Sequence, residues 1–226
     1  MENLFEKYDL EIDKNKKLLF NNYYIDLVEK NKVMNLTAIT EQNEVCVKHF
    51  IDSLLSVKNI KNNSTLLDIG TGAGFPGIPL KIYNPSLNVT LLDSLKKRVA
   101  FLNEEIEKLN LSNIKAIHSR AEDYVNVSRE TFDYVVSRAV AKLNTLLEYC
   151  LPYVKIGGYF IAYKSLNTEE EIYEAKKALL TLGGKIERVE KFNIEGNNRT
   201  LIYIKKINRT PLKYPRGQNK PKTNPL

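Results

Sequence analysis

Leu66-Leu67-Asp68-Ile69-Gly70-Thr71-Gly72-Ala73-Gly74-Phe75-Pro76-Gly77 is the stretch that decides the fold. An apolar run ends in an acid, glycines follow at 70, 72, 74 and 77, and amphipathic sequence resumes at Ile78-Pro79-Leu80. The pattern predicts a buried strand, a turn that needs positive φ and close backbone approach, then a helix. Such a turn holds a nucleotide-like ligand against backbone N–H groups at a helix N-terminus. An ordinary strand-to-helix turn is the alternative, and so dense a run of glycines after a strand-ending acid disfavours it.

Gly72 to Gly77 also fit the dinucleotide pattern G-x-G-x-x-G, which brings nicotinamide and flavin enzymes into consideration. Asp68 and Pro76 count against them. An acid two residues before the first glycine repels a pyrophosphate, and a proline removes one N–H from the loop. S-adenosylmethionine, with a cationic centre and no phosphate, tolerates both.

About twenty residues on, Asn88-Val89-Thr90-Leu91-Leu92-Asp93 reads as a second strand ending in an acid, followed by a helix from Ser94 to Leu109. An acid there can accept from both ribose hydroxyls of an adenosine. Ser94 as a helix cap, with Asp93 favouring the positive helix end, is the alternative, and the two are compatible. A third strand, residues 113–118, leads into Arg120-Ala121-Glu122-Asp123, and a fourth, residues 132–136, into Ser137-Arg138. Polar residues after successive strands mark the ligand edge of an open α/β sheet.

The rest of the chain sets bounds. With 226 residues, 43% of them hydrophobic, it can bury one full core plus an extension. Met1 to Leu10 has no long apolar run, so neither a secretion signal nor a membrane span is expected, and the protein is read as cytoplasmic. Cys46 and Cys150 indicate no disulfide framework and no metal site. No acid follows Glu195, and Lys205, Lys206, Arg209, Lys213, Arg216, Lys220 and Lys222 carry the whole +7 net charge. Four prolines in that tail predict an extended segment, suited to a phosphate backbone or else a solvated terminus.

Helical spacing of Leu18, Leu19, Tyr23, Leu27 and Val28 predicts an N-terminal helical region. A helix over 168–182 and two strands near 186–192 and 200–206 complete the pattern, the last two as an antiparallel hairpin. The expected architecture is an α/β, Rossmann-like class I methyltransferase. It has a mostly parallel seven-stranded sheet with one antiparallel edge strand, preceded by N-terminal helices. The division is 1–60, helical extension; 61–207, cofactor-binding domain; 208–226, basic tail.

Several segments together are more selective than the glycine turn. They are Asn35-Leu36-Thr37, His49-Phe50-Ile51-Asp52-Ser53-Leu54, Gly74-Phe75-Pro76-Gly77-Ile78-Pro79, Leu91 to Leu95 with Lys97-Arg98, Ser119 to Glu122, Ser137-Arg138-Ala139 and Tyr163-Lys164. On these the chain resembles the bacterial 16S ribosomal RNA guanine-N7 methyltransferases (the RsmG or GidB family) over nearly its whole length. Tyr214-Pro215-Arg216 and Pro225-Leu226 resemble the family's tail, although residues 217–224 depart from its usual spacing.

The resemblance implies S-adenosylmethionine as cofactor, S-adenosylhomocysteine as product, and small-subunit ribosomal RNA or the assembling 30S subunit as partner of a monomeric enzyme. It implies a cofactor site drawn from Asp68, Gly70, Gly72, Phe75, Asp93, Ser94, Leu95, Ala121, Glu122 and Arg138. RNA-binding candidates are Lys164, Arg199, Lys213 and Arg216. No catalytic residue is assigned; Arg138, Lys164 and His49 are positioning candidates. Bland readings stand beside these: Phe75 as core, Glu122 as a first-turn acid, Arg138 paired to Asp68 or Asp133, His49 as a satisfied structural histidine. Guanine N7 has a lone pair and no proton, so its methylation needs no general base. A non-catalytic RNA-binding assembly factor and a methyltransferase of another RNA are the alternatives.

Overall fold

The structure is a computed structural model that describes residues 2–138, 141–165 and 168–226. After α1 (Glu2–Glu6) comes a long helix, α2 (Lys14–Met34). Asp13 caps α2 by accepting from the Lys16 N–H, and Asn35 in the left-handed region ends it. Its buried stripe is Phe20, Tyr23 and Leu27, whereas Leu18, expected on that face, is 58% exposed. A broken helix follows: α3 (Gln42–Val45), a π-helical turn (Cys46–Ile51) and α4 (Asp52–Leu54).

Alternating strands and helices come next: β1 (Thr65–Ile69), α5 (Gly77–Tyr83), β2 (Asn88–Asp93), α6 (Lys96–Lys108) and β3 (Ile114–His118). They continue with α7 (Ala121–Ser128), β4 (Phe132–Ser137), α8 (Leu143–Cys150) and β5 (Val154–Lys164). The helix expected over 168–182 is two, α9 (Thr168–Glu174) and α10 (Lys176–Leu182), separated at Ala175. The hairpin β6 (Gly184–Ile194) and β7 (Asn197–Lys206) precedes a short α11 (Lys220–Thr223). Ser94 does not cap α6; Leu95 occupies that position and has no side-chain cap bond.

The seven strands are ordered β3-β2-β1-β4-β5-β7-β6, parallel except for β7. The expected plan holds, with one refinement: β7 runs antiparallel between β5 and β6, so β6 is the rim strand. Chain order reverses between β1 and β4, the switch point where open α/β sheets leave a crevice at the carboxyl ends of their strands. Ser137 Oγ donates to the Ile69 carbonyl across that point, at 2.9 Å.

Each sheet face has its own apolar cluster. One joins Phe20, Tyr23, Leu27 and Phe50 of the N-terminal helices to Leu66, Phe75, Ile78 and Leu91. The N-terminal helices therefore share one apolar core with this face of the sheet. The other joins Leu67, Val135 and Ile202 to Leu146, Leu151, Leu182 and, from the tail, Tyr214.

The expected extended tail is a correction. It folds back on the second face: Tyr214 is buried, Arg129 Nη2 donates to its carbonyl at 2.6 Å, and Pro221 is the buried residue of α11. Prolines limit its regular structure, but buried side chains hold it. No helix of the described residues is long and apolar enough to cross a membrane.

Candidate functional site

The glycine turn is built around Asp68, which is fully buried. Its Oδ2 accepts from Thr71 Oγ1 at 2.7 Å and from the Gly77 N–H at 2.8 Å, fastening the loop to the first residue of α5. Its Oδ1 has no hydrogen-bond partner among the described residues, and burial pushes the carboxyl pKa up to about 7. Gly77 carries no positive φ; it is small because a Cβ there would lie 2.3 Å from Leu91 Cδ2 and 2.9 Å from Asp68 Oδ2. Gly70, at φ +72°, differs: an added Cβ meets no protein atom within 4 Å. The space before Gly70 is open.

That space is a cavity of about 360 Å³ at the carboxyl edge, lined by Gly70, Asp93, Ser94, Ala121, Glu122 and Ser137 among others. Its size lies within the range of small-molecule sites. Asp93 is 3% exposed; its Oδ2 accepts from the Gly72 N–H at 3.0 Å and its Oδ1 from the Leu95 N–H at 2.9 Å. Arg98 Nη1 also lies 3.5 Å from Oδ2, so the acceptor capacity left for a ribose hydroxyl is chiefly on Oδ1. Glu122 begins α7 and pairs with Arg120 at 2.6 Å. Two acids after neighbouring strands and an open backbone approach at Gly70 fit an adenosine-bearing ligand.

A second cavity, about 510 Å³, lies alongside and shares Ala141 with the first. His49, Asp52, Arg138, Lys164 and Arg199 line it. Asp52, 3% exposed, divides its carboxylate between two guanidiniums: Arg138 Nη1 reaches Oδ2 at 2.8 Å and Arg199 Nε reaches Oδ1 at 2.9 Å. The His49 ring stacks on Phe75 at 4.6 Å, with the Arg138 guanidinium 4.9 Å from the same ring's centroid. His49 Nδ1 lies 3.1 Å from the Lys48 carbonyl, which can only accept, and 3.3 Å from Arg138 Nη2, which can only donate, while Nε2 lies 2.8 Å from Thr37 Oγ1. Burial, reinforced by Arg138, lowers the His49 pKa to about 3, leaving the ring neutral. The π-helical turn brings His49 and Asp52 to the same cavity.

Gly70, Asp93, Ser94, Ala121 and Glu122 meet at the first cavity as expected. Asp68 and Gly72 lie behind its wall as loop fasteners, and Leu95 caps α6. Phe75 is 5% exposed and floors His49 and Arg138. Arg138 faces the second cavity, and its ionic partner is Asp52 rather than Asp68 or Asp133. Lys164 Nζ is held by Glu171 at 2.7 Å and the Ala141 carbonyl at 2.8 Å. The Arg216 guanidinium lies outside both cavities and clamps Glu148, which is fully buried, through bonds of 2.8 and 2.7 Å. Lys213 lies over the Tyr214 ring at 5.3 Å, away from both cavities. Ala139 of the Ser-Arg-Ala motif lies outside the described residues.

Asp52 stands in the His49–Leu54 segment of the sequence with no role of its own there. Its three-residue spacing from His49, which places both on one helical face, is the signal that was there. Asn219 and Lys222, which line the first cavity from the tail, carried no such signal.

The profile of the rRNA small subunit methyltransferase G family (GidB) matches residues 16–202. A ribosomal RNA small subunit methyltransferase G of Desulforamulus reducens is 51% identical over 98% of this chain and 95% of its own. That of Lachnoclostridium phytofermentans is 55% identical over 96% and 92%. Among solved structures, TYW2 of M. jannaschii in complex with AdoMet aligns with a TM-score of 0.59 at 19% identity, covering 75% of this chain and 80% of that one. A SAM-dependent methyltransferase of Aquifex aeolicus aligns at 0.55 and 20%, covering 78% and 97%. At those identities the structures speak for the fold. With the sequence relatives matched end to end, the chain belongs to the rRNA small subunit methyltransferase G family of S-adenosylmethionine-dependent enzymes.

Proposed function

We propose that this protein methylates N7 of a guanine in 16S ribosomal RNA, with the nucleoside cofactor in the Gly70–Asp93–Glu122 cavity and the target base in the His49–Asp52–Arg138 cavity. The observation that carries this reading is the shared wall: two cavities of ligand size meet at Ala141, just after β4, as donor and acceptor sites of a group transfer require. When bound, S-adenosylmethionine supplies a methyl group on a cationic sulfur.

The chain's residues then have to position the base and tolerate the positive charge it acquires. Asp52 holds Arg138 and Arg199 in place, and Phe75 fixes the neutral His49 ring. Neither His49 nor any other group has a proton to remove, because N7 presents a lone pair. Guanine N7 is inaccessible to side chains in the deep major groove of an A-form helix, so an unpaired or splayed guanine is the fitting target. Lys164 and Arg199, which line the same cavity, are the cations assigned to its phosphates. The reading includes a monomeric, cytoplasmic enzyme, in which residues 61–207 form the methyltransferase unit.

Transfer of tritiated methyl groups to unmethylated 16S RNA and to 30S subunits, followed by nucleoside mapping, tests it. Label in 7-methylguanosine supports the proposal. Label in another nucleoside, or RNA binding without transfer, overturns it; the latter is the result an assembly factor gives.

A further inference from the structure

The first cavity has a wall that is remote in sequence. Asn219 and Lys222 line it together with Gly70, Asp93, Ser94 and Glu122. The tail that carries them is fastened immediately before and within α11. Arg216 grips Glu148 with both its guanidinium and its backbone N–H, the latter at 2.8 Å, and Arg216 Nη2 also reaches the Asn224 carbonyl at 2.9 Å. Thr145 Oγ1 donates to the Pro221 carbonyl at 3.0 Å, which ties α11 to α8. Gln218 and Asn219 both adopt left-handed φ, at 57° and 62°, and this turns the chain back toward the sheet edge.

The chemistry presented there is specific. Arg120, the partner of Glu122, also donates to Asn219 Oδ1 at 3.3 Å, so the tail is wired to the acid at the start of α7. With Oδ1 occupied, the Asn219 amide keeps its N–H donors for a ligand; among the described residues they have no acceptor. An adenine ring offers acceptor nitrogens and no carboxylate to compete for Arg120. Lys222 has no ion-pair partner among the described residues and brings an uncompensated cation to the rim.

We infer that the C-terminal tail is part of the cofactor site: Asn219 and Lys222 close the adenosine side of the cavity, and the Arg216–Glu148 clamp sets their position. The inference rests on the reading of the first cavity as the cofactor site. It gives the basic tail a role other than a tether for RNA, and it makes the clamp a positioning device for ligand affinity.

Calorimetric titration of the full-length protein with S-adenosylhomocysteine tests it, because the product reports binding without turnover. Three variants are compared with the unaltered chain: Asn219→Gly with Lys222→Ala, the glycine keeping the left-handed φ of position 219, Arg216→Ala, and truncation after Thr210. Each should weaken binding, the double replacement by about fivefold to tenfold for the lost hydrogen bonds and charge. Asn219 and Lys222 are exposed, so the double variant keeps its melting temperature and decides the matter even where truncation exposes the second core. Affinities within twofold of the unaltered chain overturn the inference. So does loss of 16S RNA affinity, with a lower salt slope, at unchanged S-adenosylhomocysteine affinity, which is the signature of an RNA tether. Failure of the unaltered chain to bind S-adenosylhomocysteine would instead sink the cofactor-site reading itself.

Discussion

Arg138 and Asp52, 86 positions apart in the chain, are joined by a 2.8 Å ion pair that ties the end of β4 to the first residue of α4. Asp52 Oδ1 simultaneously holds Arg199 of β7 at 2.9 Å. One carboxylate thus fixes the N-terminal helices, the switch point of the sheet and its reversed strand relative to one another. Removing it would leave two guanidiniums facing each other. Asp52→Ala is expected to destabilise the fold by about 3–5 kcal/mol, the usual cost of breaking a buried pair from one side. Equilibrium urea unfolding measures this; a loss below about 1 kcal/mol would show that the two arginines find other partners.

Asp93 joins the first cavity to the glycine turn through the Gly72 N–H. Asp93→Ala should weaken S-adenosylhomocysteine binding by about 1.5–3 kcal/mol, as loss of charge-assisted hydrogen bonds does. Calorimetry on the folded variant reads it, and unchanged affinity removes Asp93 from the ribose.

Gly70 and Gly77 should separate binding from folding. A side chain at Gly70 meets open space, so Gly70→Val costs the strain of positive φ and blocks the ligand. Gly77→Ala instead drives a methyl group into Leu91 and Asp68. Thermal melting with and without S-adenosylhomocysteine should show Gly70→Val folded but without ligand stabilisation, and Gly77→Ala with a lowered melting temperature by itself. The reverse pattern would misplace the cavity.

His49 should remain neutral well below the ordinary histidine range, since its pKa is held near 3. Nitrogen-15 shifts of its ring are expected to stay those of a neutral imidazole from pH 8 down to pH 5. Its burial as a neutral ring contributes stability above its unfolded pKa of about 6.5, and that contribution fades as pH falls toward 3. Protonation between pH 5 and 7 would contradict the burial seen here.

Glu105 has the opposite sign. It is 1% exposed, its Oε1 has no hydrogen-bond partner among the described residues, and burial, reinforced by Asp26, raises its pKa to about 8. The folded state binds a proton that the unfolded chain releases above 4.5, so stability from this group is complete at low pH and is lost as pH rises through 8. Glu105→Gln should therefore gain about 1–3 kcal/mol at pH 9 and almost nothing near pH 4. Urea unfolding at the two pH values checks it; an equal gain at both would assign the effect to something other than titration.

The sequence alone determined the sheet and one side of the site. Strand-ending acids at 68 and 93, the glycines between 70 and 77, and the Ala121-Glu122 pair are legible because short-range patterns dictate local structure, and parallel strands bring their ends to one edge. Tertiary structure decided the rest. That Arg138 pairs with Asp52, that Arg216 is spent on Glu148, and that Asn219 reaches the cavity of Gly70 depend on contacts between residues from 68 to 149 positions apart. A charge in a sequence carries no statement of its partner. Only the packing of α8, the tail and the N-terminal helices against the sheet determines which charges lose water, and a charge that loses water must be paired.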